Sequence, residues 1–220
     1  RKEVTGSLND EQLRALSERL VYLRNLEEKK ASVLATIEEQ GKLTDELKKQ
    51  IEAVMTMVAL EDLYRPYRPK RRTRATIAKE KGLEPLAEIL RAQATTRTIE
   101  EEATAFVDAE KGVESVQDAI DGAKDILAEV YADDADYRTK LRAMTKESGS
   151  LVAKAKDEEA DSVYEMYYDF SEPIKKLVGH RILAINRGEA EKFLTVKIEA
   201  PRQEILLWLV KQIIGNMKHD

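Results

Sequence analysis

The residues best suited to chemistry lie in one short basic segment. Six cations fall within Arg65–Arg74, with Tyr64 and Tyr67 beside and among them. Arginine and lysine neutralise nucleic-acid phosphates, and tyrosine rings offer flat faces on which bases stack. The predicted phosphate contacts are Arg65, Arg68, Lys70, Arg71, Arg72 and Arg74, and the predicted stacking residues are Tyr64 and Tyr67.

The same residues also admit a purely structural interpretation. The chain holds 42 Asp and Glu against 37 Lys and Arg, so carboxylate partners are abundant. The arginines of this segment could pair with those acids and fasten a linker to a helical bundle, with the tyrosines packed as anchors. Composition alone favours neither interpretation.

Charge is distributed unevenly along the chain, although its net value is −5. From Arg65 to Lys81 there are eight basic residues and one acid, Glu80, which gives a local charge of +7. The stretch from Glu100 to Asp169 is clearly acidic. Because local charge decides where a polyanion binds, the basic segment is the predicted contact with nucleic acid.

Signatures of catalysis are scarce. The chain has no cysteine, which excludes a disulfide, a cysteine-based zinc site and a thiol nucleophile. Its histidines are His180 and His219, and its isolated glycines lack the spacing of a phosphate-binding loop. Asp133, Asp134 and Asp136 could bind Mg²⁺ in principle, but a solvated helix junction explains them better. The sequence predicts no catalytic residue, no metal and no cofactor.

Membrane association is not indicated either. No apolar run reaches the roughly 18 residues that span a bilayer, and the charged first residues do not form a signal peptide. Together with the absence of cysteine, this predicts a cytoplasmic protein. The chain begins without methionine, which predicts that it is a fragment of a longer protein.

The elements that position the basic segment are predicted to be helices. Charged residues make up 36% of the chain and aromatic residues only 5%, a composition typical of helices with one solvated face. Asn9 and Gln12 have the spacing of a capping box, and Gly41 is a natural helix stop. Leucines at 13, 16, 20 and 23 follow the helical period, so a helix of about 10–39 is predicted. Because its heptad pattern is short, we predict that this helix packs within a helical bundle rather than forming the interface of a coiled-coil dimer.

Capping residues and glycines predict the remaining helices. Pro66 and Pro69 predict an extended stretch between two of them. The pair of helices around Gly82 resembles a helix-turn-helix, but Pro85 and Glu88 fit that motif poorly, so an ordinary hairpin is favoured. The further predicted helices span residues 45–57, 74–81, 85–92, 99–106, 115–131, 134–147, 180–187 and 202–217.

A small β element is predicted near the end of the chain. Residues 151–155 and 193–198 are rich in apolar and β-branched side chains and are predicted to pair. The last helix is apolar nearly all round, which predicts that a missing part of the protein covers it. We therefore predict a mainly α fold, an elongated multi-helix bundle with a long N-terminal helical hairpin. Its predicted regions are a hairpin at 1–64, a helical region at 65–147, a mixed α/β region at 148–200 and a terminal helix at 201–220.

Several stretches resemble the bacterial Tex family of transcription accessory proteins. They include RKEVTGSLNDEQL at 1–13, LATIEEQGKLT at 34–44, LEDLYRPYRPKRRTRATIAKEKGLEPLA at 60–87, VDAEKGV at 107–113 and YYDFSEPIKKLVGHRILAINRGE at 167–189. The resemblance implies a multidomain protein in which this helical part precedes an RNase H-like domain, helix-hairpin-helix elements and an OB-fold RNA-binding domain. It also implies an architecture similar to the core of a eukaryotic elongation factor that chaperones histones.

The resemblance implies nucleic-acid binding linked to transcription, with no established catalysis in the helical part. Our first hypothesis is a non-catalytic scaffold that positions downstream binding domains and adds a non-specific phosphate contact to RNA or DNA through the basic segment. The alternative is a protein-interaction module that docks on RNA polymerase or a transcription factor, with purely structural arginines. A hydrolase using acidic residues ranks last.

Overall fold

The computed structural model describes residue 4 and residues 6–69 and 71–214. The chain divides into two compact units, with the boundary between Ala135 and Asp136. Helices dominate, and a small antiparallel sheet accompanies them, so the predicted mainly α class with a small β element is confirmed. The finer division into four regions stays a prediction. None of the described helices combines the length and apolar character needed to cross a bilayer.

Seven helices of the described chain form the first unit. They are α1 (Asp10–Glu39), α2 (Asp45–Ala53), α3 (Met57–Tyr64), α4 (Arg74–Glu80), α5 (Glu84–Ala92), α6 (Ile99–Thr104) and α7 (Val116–Asp133). Two 3-10 turns, Arg65–Tyr67 and Ala109–Lys111, interrupt the series.

Helix α1 has the predicted bounds and the predicted cap. The Asn9 side chain accepts a hydrogen bond from the Gln12 backbone N–H at 2.8 Å, and the Gln12 side chain returns one to the Asn9 backbone. Burial begins only at Leu26, whereas the leucines at 13, 16 and 20 are exposed. The reason is length, since α2 has nine residues and is too short to cover a thirty-residue helix.

The predicted second helix, 45–57, is two helices in the structure. Val54 is extended, with φ −67° and ψ 143°, and ends α2. Thr56 then caps α3, its hydroxyl accepting from the Ala59 N–H at 3.2 Å. The turn is held by the Tyr22 hydroxyl, which accepts a 2.8 Å hydrogen bond from the Met57 N–H. Helices α1 to α3 enclose one core, formed by Leu26, Val33, Ile37, Leu47, Ile51, Leu60 and Tyr64.

Helices α4 to α7 enclose a second core within the first unit. Thr73 caps α4 as predicted, and Gly82 follows it with φ +81°, a left-handed conformation that glycine adopts without steric cost. Pro85 lies in the first turn of α5, where its missing N–H is not needed. The capping box of Thr98 and Glu101 opens α6. This core is formed by Ala75, Ala78, Leu83, Leu86, Ala87, Ala103, Val113, Ala119, Ile120, Ala123 and Ile126.

The second unit surrounds a three-stranded antiparallel sheet of order β2-β1-β3. Its elements are α8 (Ala135–Ser148), β1 (Ser150–Ala155), β2 (Asp169–Pro173), α9 (Gly179–Ala190), β3 (Leu194–Glu199) and α10 (Arg202–Ile213), with 3-10 turns at Glu165–Tyr167 and Ile174–Lys176. The predicted pairing of β1 with β3 is confirmed, Ala153 lying opposite Val196. Strand β2 was not predicted.

The second unit has its own core, and it includes the last described helix, α10. Ala153, Tyr164, Tyr167, Ile185 and Leu194 form its core. Helix α10 is described only to Ile213, so the end of the predicted 202–217 helix lies outside the described residues, as does His219. No described residue of α10 is fully buried, and the covering of this helix by another part of the protein stays a prediction.

Candidate nucleic-acid interface

The basic segment, residues 65–74, leaves α3 and leads into α4. It begins with the 3-10 turn Arg65–Tyr67, which corrects the prediction of an extended stretch. Pro66 fits this turn because a first-turn residue needs no N–H donor. The chain becomes extended at Arg68, with φ −64° and ψ 130°, before Thr73 caps the next helix. Lys70 lies outside the described residues.

Four of the predicted phosphate contacts pair with carboxylates. Arg65 Nε is 2.9 Å from Asp133 Oδ1, Arg68 Nη1 is 3.6 Å from Glu61 Oε2, Arg72 Nη2 is 2.6 Å from Glu80 Oε2, and Arg74 Nε is 3.6 Å from Asp125 Oδ1. Among the described residues, Arg71 has no acidic oxygen within 4.0 Å and is exposed. The paired arrangement is what the structural interpretation predicts.

These pairs nevertheless leave the arginines accessible. The side chains of Arg65, Arg68, Arg72 and Arg74 are 45%, 55%, 67% and 86% exposed. An exposed ion pair contributes about 0–1 kcal/mol to stability, so a phosphate can compete with the carboxylate. Asp133 differs from the other acids because its side chain is only 10% exposed. The geometry thus permits both a structural and a binding role.

The two tyrosines are packing residues in this structure. Tyr64 is 8% exposed within the core of α1 to α3, and the ammonium of Lys29 lies 5.8 Å from the centre of its ring. Tyr67 is half-buried against the same core, and its carbonyl accepts a 2.8 Å hydrogen bond from the Gln40 amide. A stacking role for either ring stays a prediction, and for Tyr64 it would require the ring to leave its core.

Facing the basic segment is a row of carboxylates that the sequence reasoning missed. We call it the acidic face of α7, and its members are Asp118, Asp121, Asp125, Glu129 and Asp133. Their spacing of three or four residues places them on one side of the helix. A hydrogen bond from the Gln117 amide, at 2.9 Å, lowers the pKa of Asp121, with a further contribution from Lys124. The 3-4-4-4 spacing was the available signal.

Residues of the basic segment and of this face together line a groove of about 350 Å³. Its charged lining residues are Arg65, Arg74, Asp125, Glu129 and Asp133. Ala128 and Ala132, whose side chains are small, also line it. The groove is open to solvent at the surface, so its guanidinium groups are within reach of a dissolved anion.

Comparison with known proteins identifies the family. Residues 94–214 match the family model described as Tex central region-like, and residues 1–38 match the Tex-like protein N-terminal domain. The first match alone covers more than half of the chain. The chain belongs to the Tex family.

Three relatives illustrate the relationship of this Tex-family chain to longer proteins. It is 45% identical over 219 residues to the Bacillus subtilis protein YdcI, covering 98% of this chain and 30% of YdcI. It is 45% identical to the transcriptional accessory protein Tex of Neisseria gonorrhoeae, covering 90% of this chain and 26% of that protein. It is 30% identical to human S1 RNA-binding domain-containing protein 1, covering 96% of this chain and 22% of that protein. The chain thus spans under a third of these relatives.

The other candidates for chemistry in this Tex-family chain are accounted for by its structure. Asp133, one of three acids for which a solvated helix junction was favoured over Mg²⁺ binding, is paired with Arg65. Across the described ranges, no group of three or more His, Asp or Glu residues is arranged to hold a metal ion. Arg91, the cation of the second helix in the helix-turn-helix-like hairpin, lies 3.9 Å from Glu88. The basic segment therefore remains the candidate interface.

Proposed function

We propose that this chain is a non-catalytic scaffold module of a transcription accessory protein and that it adds a weak, non-specific contact to RNA or DNA through the basic segment. The relative from Neisseria gonorrhoeae is named a transcriptional accessory protein, and the human relative is named for an S1 RNA-binding domain. The first name supports a role in transcription and the second supports contact with RNA, and a cytoplasmic location is part of the proposal. The chain would hold further domains of the longer protein in position.

The observation that carries the binding part of this proposal is the exposure of the arginines. Arg71 is exposed without an acidic partner among the described residues, and Arg72 and Arg74 expose most of their side chains. Lys79 near the end of α4, which pairs with Glu84 at 3.2 Å, and Lys81 just after it add two further cations. Because these cations belong to one continuous stretch of chain, a flexible polyanion can contact several of them at once.

The alternative function is a docking module for a protein such as RNA polymerase. The observation that favours it is the exposed leucine stripe of α1, at positions 13, 16 and 20. An apolar helix face of this kind is suited to a groove in a partner protein. Under this alternative, the arginine pairs only fasten the linker between α3 and α4.

Salt dependence separates the two functions. Fluorescence anisotropy with a labelled single-stranded RNA and a labelled DNA duplex, measured at 25, 50, 100 and 200 mM salt, is expected to show binding that weakens with salt. For three to five phosphate contacts the logarithm of affinity should fall against the logarithm of salt with a slope of about −2 to −3.5 on the single strand. If neither probe binds at 25 mM salt, the proposed contact with nucleic acid is wrong and the docking function is favoured.

A further inference from the structure

The basic segment and the acidic face of α7 meet at two points. Arg65 pairs with Asp133 at one end of the segment, and Arg74 pairs with Asp125 at the other. The two acids are eight residues apart in α7, which is about 12 Å along the helix axis. Glu129 lies midway between them and lines the same groove. A single helix face therefore holds both ends of the basic segment.

The two contacts differ in how firmly they are held. Asp133 is nearly buried and hydrogen-bonds to Arg65 at 2.9 Å, which makes this end an anchor. Asp125 is 31% exposed and lies 3.6 Å from the largely exposed Arg74, beyond the usual distance of a strong hydrogen bond. The Arg74 end is thus the one from which a competing anion would displace the carboxylate first.

Carboxylates and phosphates compete directly for a guanidinium group. Both present paired anionic oxygens to the same fork of N–H donors, so one guanidinium edge cannot serve both. The groove that Arg65 and Arg74 line together with these acids is open to solvent and has room for an incoming anion. A phosphate arriving there meets the charges of Asp125, Glu129 and Asp133 as well as the arginines.

We propose that the acidic face of α7 is an internal competitor that lowers the affinity of the basic segment for polyanions. A bound nucleic acid displaces Asp125, and in part Asp133, from the arginines. This inference rests on the proposed contact with nucleic acid. Its consequence is selectivity for long polyanions, because only several phosphates acting together outweigh carboxylates that are already in place.

The test removes the competing charge while keeping the side-chain shape. In the variant Asp125→Asn/Asp133→Asn, binding of a dye-labelled 20-nucleotide polyuridylate at about 0.1 M salt is expected to tighten about three- to tenfold, because the two weak ion pairs no longer compete with the phosphates. The single variant Asp125→Asn should give part of this gain. It also keeps the test decisive if circular dichroism shows that the double variant is unfolded.

A matched control separates direct competition from a change in total charge. Glu11→Gln/Glu18→Gln removes the same charge from exposed positions of α1. Lys29, which contacts Glu61 together with Arg68 of the basic segment, lies 11 residues beyond Glu18 and 18 beyond Glu11, about 17 and 27 Å along the helix. Both distances exceed the screening length of about 10 Å at 0.1 M salt, so the control should change affinity less than twofold.

The outcomes distinguish this inference from the proposed function. Tighter binding by the α7 variants but not by the α1 control supports the internal competitor. Equal binding by wild type, control and α7 variants contradicts it and leaves the proposed contact standing. If none of the four proteins binds polyuridylate, the proposed contact fails, and the inference fails with it. Binding by the α7 variants alone supports both.

Discussion

Reversing three charges in the basic segment is expected to remove most of the salt-sensitive binding of single-stranded RNA. The variant is Arg71→Glu/Arg72→Glu/Arg74→Glu, and its affinity at 50 mM salt should fall at least about tenfold. Losing three phosphate contacts should also reduce the magnitude of the salt slope by about 2. Fluorescence anisotropy over a salt series measures both quantities in one experiment.

The fold should tolerate these substitutions. Arg72 and Arg74 are mostly exposed, and their pairs with Glu80 and Asp125 are surface contacts worth about 0–1 kcal/mol each. A matched variant, Lys146→Glu/Lys156→Glu/Lys176→Glu, reverses the same number of charges at exposed positions of the second unit. Equal loss of binding in both variants would mean that total charge, rather than the basic segment, attracts the RNA.

Helix bounds could be predicted from the sequence because their signals are local. Asn9 and Gln12 begin α1, Thr98 and Glu101 begin α6, and Gly82 follows α4, each within the residues that form the cap. The energy of a cap depends on a few neighbouring backbone groups, so the pattern carries the information. The same holds for β3, whose apolar residues roughly alternate, and for β1, whose short apolar run follows a glycine.

Where the prediction was wrong, tertiary contacts outweighed local preference. Residues 45–57 have an uninterrupted helical composition, yet the chain breaks at Val54, where the Tyr22 hydroxyl caps the Met57 N–H from 35 residues away. Strand β2, Asp169–Pro173, has few strong strand formers and exists because it pairs with β1. Neither contact can be inferred from residues close in sequence.

The candidate interface could likewise be predicted only in part from the sequence. The cations of residues 65–74 are evident in the sequence, and their number made them the strongest functional signal. Their partners are not evident, because Arg65 and Asp133 are 68 residues apart and meet only when α7 packs beside the basic segment. The sequence likewise predicts Tyr64 as a stacking residue, because its burial in the core of α1 to α3 is a property of the fold. The partners of the arginines and the accessibility of Tyr64 could be known only from the three-dimensional structure.

Gly122 in α7 is expected to resist replacement by alanine, although alanine is the better helix former. A Cβ atom at Gly122 would lie 2.3 Å from Leu83 Cδ1 and 3.3 Å from Ala78 Cβ. Overpacking a core typically costs about 1–3 kcal/mol, which exceeds the roughly 1 kcal/mol gained in helix propensity. Gly122→Ala should therefore lower the free energy of unfolding by up to about 2 kcal/mol. Urea unfolding followed by circular dichroism measures this change.

The effect should change sign when Leu83 is shortened. Leu83→Ala alone is expected to cost about 2–5 kcal/mol, because Leu83 is fully buried between α4, α5 and α7 and its loss leaves a cavity. In that background, Gly122→Ala meets no Cδ1 atom, partly fills the cavity and keeps its helix propensity, so it should stabilise by about 1 kcal/mol. Gly179→Ala, whose new Cβ would meet no atom within 4 Å, serves as the control and should stabilise by up to about 1 kcal/mol. If Gly122→Ala destabilises the wild type and the Leu83→Ala variant equally, the contact with Leu83 is not the reason that this position requires glycine.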